Sequence, residues 1–194
     1  MDENPPPPQG RFDLVGWAAT ESERLLSDLG DRWRHVQGVV EKARWLGGTF
    51  EREDQEHLEA AAHLHDVGYS PALFDVGLHQ LDGARYVRSC GHERLAGLVA
   101  HHSEARYELG LRGYAKHLEA YPSERSEVSA ALVYCDLTTG PTGQPMEFAD
   151  RLADVVARYG EYSLVAHALR LATRDLAIAM AATVTRLRRF GLVA

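Results

Sequence analysis

The chain has 194 residues, 28 acidic against 21 basic side chains and a formal net charge of −7. That length supports one domain with a real core. The acidic balance excludes a general nucleic-acid or membrane-surface binder, because tracking phosphates needs clustered excess Lys and Arg. Only Cys90 and Cys135 occur, without framework spacing, which points to free thiols in a reducing compartment.

The start, Met1-Asp2-Glu3-Asn4 followed by Pro5 to Pro8, lacks the basic flank and apolar stretch of a signal peptide, and a cytoplasmic protein is expected. Residues 1–12 read as a disordered Pro-rich tail, since extended proline has no means of burying surface. Residues 13–190 read as one helical domain. No stretch approaches the roughly 20 apolar residues of a membrane span.

Apolar spacing of three and four recurs almost throughout, which predicts an all-α, single-domain helical bundle. The first helix is expected over Leu14 to Leu29, stopped by Gly30. A second opens with Asp31 as N-cap and runs to Gly47-Gly48; it carries His35. A third runs from near Asp54 to just past Asp66, where Gly68 and Pro71 mark a loop. Two more are expected over Leu78 to Cys90 and Glu93 to Tyr107, separated by Gly91. The stretch Tyr114 to Ser126 is less regular. A strongly apolar helix then covers Glu127 to Thr138, followed by a Gly/Pro turn and two packing helices, Met146 to Tyr159 and Leu164 to Arg189. The apolar final helix offers a face for pairing with a second copy.

Several ionisable residues fall on the buried faces of these helices. His35 borders the stripe of Val36, Val39, Val40 and Ala43; His65 and Asp66 lie over the side marked by Leu58, Ala61 and Ala62. Asp136 follows Leu132 by four and Val133 by three, and His102 aligns better than His101 with Leu95, Leu98 and Val99. His79 stands at a helix start, with Gly83 allowing close approach. Taken singly each has an ordinary explanation: a hydrogen-bonded core histidine, a cap, a chance dipeptide. Jointly, four helices deliver inward His or Asp, and a bundle core is where such groups converge on a metal. Burying an unpaired carboxylate is otherwise costly.

The ordered set His35, His65-Asp66 and Asp136 resembles the HD-domain superfamily of metal-dependent phosphohydrolases. His65-Asp66-Val67-Gly68 is similar to the HDIG variant, Arg32-Trp33-Arg34-His35-Val36 to the start of its first ligand helix, and His79 with His101-His102 to the extra histidines of two-metal members. The likeness covers roughly residues 31 to 140. It implies His35, His65, Asp66 and Asp136 as metal ligands, Asp66 as the bridge, and His79, His101 and His102 at a second site, with the choice between the last two open. The doublet His65 and Asp66 would be the catalytic centre. Tyr69 stands where the cyclic-dinucleotide branch has lysine, no Gly-Tyr-Pro follows His102, and Ser103 and Glu104 depart from the dinucleoside polyphosphate hydrolases.

One or two divalent transition ions are expected, iron or manganese ahead of magnesium, nickel, cobalt or zinc, because the ligand set is rich in imidazole. The expected substrate is a nucleotide or other small phosphate ester, attacked by a metal-activated hydroxide. Arg34, Arg85, Arg106 and Lys116 are the candidate phosphate-binding cations, with solvated helix faces as the alternative. A di-iron oxygenase and a non-catalytic nucleotide- or partner-binding domain are the competing functions.

Overall fold

Each apolar stripe becomes the buried side of a helix in a computed structural model that describes residues 12–193. Ten α-helices, short 3₁₀ turns and one isolated antiparallel bridge, Thr139 to Pro145, make up the ordered elements among these residues. The tail read at residues 1–12 lies outside them, Phe12 apart, whose ring centroid is 5.1 Å from that of His92. No helix of the described residues is long and apolar enough to cross a membrane.

Helix α1 (Leu14–Leu26) is capped by Asp13, which accepts from the Gly16 N–H. Helix α2 (Asp31–Gly47) corrects one detail. Gly30, at φ 53°, takes the cap position, and Asp31 is the first helical residue, where its charge favours the positive end of the helix. Helix α3 (Arg52–Leu64) buries Leu58, Ala60, Ala61, Ala62 and Leu64. Its alanines let α1, α2, α5 and α8 pack around it.

Helix α4 (His79–Ser89) pairs with α5 (Glu93–His101), and the short α6 (Arg106–Leu111) and α7 (Ala115–Glu119) follow. Helix α8 (Glu127–Leu137) starts in a Ser126/Ser129 capping box. It is apolar all round because both its sides are covered. Ala131, Leu132 and Cys135 join the main core, while Val133 and Leu137 meet Ala172 and Leu176 of the long last helix. Helix α9 (Phe148–Tyr159) and helix α10 (Leu164–Arg189) complete the chain. Fully buried leucines such as Leu58, Leu64 and Leu132 contribute roughly 1.5–3 kcal/mol each by leaving water.

Two features position the site. A Cβ added at Gly68 would lie 1.9 Å from the His79 carbonyl oxygen and 2.7 Å from the Gly83 nitrogen. Only a glycine there lets the 3₁₀ turn Val67–Tyr69 pack against the start of α4. The second feature is a break. The helix expected over Glu93 to Tyr107 stops at His101, and a 3₁₀ turn His102–Glu104 intervenes, with Ser103 at φ 50° and Glu104 at φ 57°. Positive φ at two consecutive non-glycine residues costs of order 1–3 kcal/mol each. The Ser103 hydroxyl, donating to Asp136 Oδ2, offsets part of that.

Candidate metal centre

His35, His65, Asp66, His79, His102 and Asp136 converge between α2, α3, α4, α8 and the turn after α5. All but His79 are at least nine-tenths buried as residues. His35, His65 and Asp66 form one group whose donor atoms lie within 4.8 Å of one another; Asp66, His79 and His102 form a second. Asp66 is common to both. Its Oδ2 lies 3.4 Å from His65 Nε2 and 3.9 Å from His35 Nε2, and its Oδ1 lies 3.5 Å from His79 Nε2 and 3.9 Å from His102 Nε2. Asp136 Oδ1 is 3.1 Å from His35 Nε2.

The other ring nitrogen decides what these imidazoles present. His35 Nδ1 is 3.0 Å from the Gly140 carbonyl, His65 Nδ1 is 2.9 Å from the Ala62 carbonyl, and His102 Nδ1 is 2.6 Å from the Val99 carbonyl. A carbonyl only accepts, so each Nδ1 carries the hydrogen and donates it. Each ring then turns its Nε2 toward the carboxylate of Asp66 or Asp136. His65 Nε2 is buried and forms no hydrogen bond. An Nε2 facing a carboxylate needs a proton or a metal cation between them, since the two lone pairs otherwise repel. Backbone-anchored imidazoles of this kind are the usual way proteins aim histidines at a metal, and the donor set fits a divalent transition ion.

Burial would raise the Asp66 carboxyl, but Arg32, His65 and His79 overrule it and hold the pKa well below the usual carboxylate range. Burial likewise opposes ionisation of Asp136, and His35, His65 and Arg151 bring its pKa down. Burial works against the proton of His65 too, yet Asp66 and Asp136 raise its pKa. For His79 burial wins over Asp66, and the pKa falls to about 3. The His79 ring stacks on Tyr69 at 4.1 Å, and Arg32 lies over the same tyrosine at 4.0 Å.

Some expected site residues lie elsewhere. His101 lies outside both groups: its Nε2 meets the Tyr121 carbonyl at 3.2 Å, because the helix ends there and the following turn swings His102, not His101, into the cluster. The four candidate phosphate-binding cations do not line the cleft over the cluster. Arg34 is exposed and paired with Asp31. Arg85 is held by Asp75 and the Leu73 carbonyl, and lines a separate hollow with Lys116. Arg106 is tied to Glu104 and Asp175 beside another hollow, which it shares with His101.

Other guanidinium groups line the cleft over the cluster. This cleft, about 420 Å³, is bordered by Arg32, Arg112, Arg151 and Arg158, with Tyr69, Phe74, Tyr107 and Tyr159. Arg32 donates to Asp66 Oδ2. It precedes His35 by three and so shares its helix face, a signal present in the sequence. No local signal marked Arg151.

A family model described as HD domain matches residues 32–135. No curated protein and no solved structure matches the chain.

Proposed function

Because the chain belongs to the HD-domain family, whose members are mostly metal-dependent hydrolases, we propose that it is a metal-dependent phosphohydrolase acting on a nucleotide or other small phosphate ester. One observation carries the reading: three backbone-anchored imidazoles turn their Nε2 atoms toward two buried carboxylates that neighbouring charges hold ionised. His35, His65, Asp66 and Asp136 would hold one ion, and Asp66, His79 and His102 a second. Iron(II) or manganese(II) suits this imidazole-rich set better than magnesium. When bound, such ions lower the pKa of a coordinated water and neutralise phosphate oxygens.

The remaining work falls to the chain. Arg32 keeps Asp66 ionised in a buried setting. Ser103 donates to one oxygen of Asp136 and so orients the other, Oδ1, toward His35. Tyr69, stacked on His79, holds that ring at the cleft wall. The cleft volume falls within the range of small-molecule sites.

The test is hydrolysis of a panel of nucleotides and an aryl phosphate with iron(II), manganese(II), cobalt(II) and nickel(II), each with and without chelator. Metal-dependent phosphate release that chelator abolishes is expected. Silence across the panel with metal bound would overturn the reading. Oxygen consumption with an organic substrate would then indicate an oxygenase, and its absence a binding module.

A further inference from the structure

Helix α9 lies outside the segment that matches the family, and Arg151 is its single buried residue. The side chain is 7 % exposed and reaches the cleft beside Asp136. A long cation as the one buried residue of a helix whose apolar side chains are at most half-buried needs a partner that repays its desolvation. The described residues supply little. Nη1 donates to Asp154 Oδ2 at 2.9 Å, Nη2 stands 4.0 Å from Asp136 Oδ1, beyond hydrogen-bond reach, and the buried Nε has no partner.

Asp154 acts as a strut. The same Oδ2 accepts from Arg158 Nε at 3.0 Å, so the carboxylate links two guanidinium groups two helical turns apart and fixes the Arg151 head. What stays unsatisfied is the buried Nε and the hydrogens of Nη2, on a side chain that lines the cleft. Asp136 is engaged by His35 and Ser103. The missing acceptor is therefore a ligand, and a planar fork of N–H donors matches the paired oxygens of a tetrahedral oxyanion.

We infer that Arg151 is a substrate-binding residue that seats a phosphoryl oxygen of the ester, next to the metal cluster and from outside the family-matching segment. This rests on the phosphohydrolase reading for the identity of the anion. Val155, Leu169 and Ala172 continue the cleft from Arg151 as an apolar wall between α9 and α10. That wall suits a phosphate ester whose leaving group presents an apolar or aromatic face.

Inorganic phosphate is the probe, titrated calorimetrically into manganese-loaded full-length protein. The native chain should bind it, Arg151→Gln should weaken binding by about tenfold or more, and Arg151→Lys, which keeps charge but loses the fork, should fall between. The surface control Arg34→Gln should match the native chain, and metal content should be equal in all four. Phosphate binding by Arg151→Gln equal to native overturns the inference, as does a metal-loaded native chain that binds no phosphate. If Arg151→Gln loses its helical signal, Arg151→Lys decides, and an affinity equal to native overturns the inference. A chain that binds phosphate through Arg151 but hydrolyses no ester keeps this inference and loses the hydrolase reading. Hydrolysis with phosphate affinity untouched by Arg151→Gln does the reverse.

Discussion

His79 Nε2 and His102 Nε2 lie 3.3 Å apart, 23 residues distant in the chain. His102 Nδ1 holds its own hydrogen for the Val99 carbonyl. Only His79 can supply a hydrogen between the two rings while both are neutral. Burial keeps both pKa values down. His79, His102 and Asp66 are the residues that would hold a cation here, and binding it would cost the pair that single hydrogen bond.

Asp66→Ala should abolish metal binding, since Asp66 belongs to both ligand groups. Elemental analysis of native protein should find between about one and two transition ions per chain, and the variant close to none, with its circular dichroism still helical. Full metal content in the variant would sink the assignment.

The adjacent histidines should behave differently. His102→Ala should weaken metal affinity by at least about tenfold, the scale seen even for outer partners of a ligand. His101→Ala should leave metal content unchanged and lose about 1 kcal/mol from its bond to Tyr121. Competition with a chromogenic chelator distinguishes them; equal losses would contradict the geometry.

Gly68→Ala should damage both stability and site. The new methyl meets backbone at His79 rather than a flexible side chain, so the turn or α4 must move. Urea denaturation should show a loss of about 1–3 kcal/mol or more. Metal stoichiometry should fall with it, because His79 is the residue displaced.

Stability should also fall in acid through Glu124. Burial pushes its carboxyl up, but Arg94 and Ser126 outweigh burial and lower the pKa from its ordinary 4.5. The unfolded chain therefore takes up this proton first. The contribution is fully present above the unfolded value and drains away as pH falls through the lower folded one. Glu124→Gln should flatten the acid limb of a plot of denaturation midpoint against pH, and cost about 1 kcal/mol near neutrality by loosening Arg94. An acid limb unchanged in the variant would refute the linkage.

By itself the sequence determined which segments are helices and which of their faces are buried, because both follow from local spacing. The inward aim of His35, His65, Asp66 and Asp136 was legible for that reason, and so was their likeness to one family. Local spacing favoured His102 over His101, and the tertiary structure put His102 in the cluster and His101 against Tyr121. The break at Ser103 has no glycine or proline to announce it, and Asp136, the acceptor of the Ser103 hydroxyl, is 33 residues away. The tertiary structure also decided the cleft's cations. Arg32 shares the helix face of His35 and was legible locally, but Arg151 differs from Arg34, Arg85, Arg106 and Lys116 only in what folding brings opposite it, and that depends on contacts between distant helices rather than on periodicity within one.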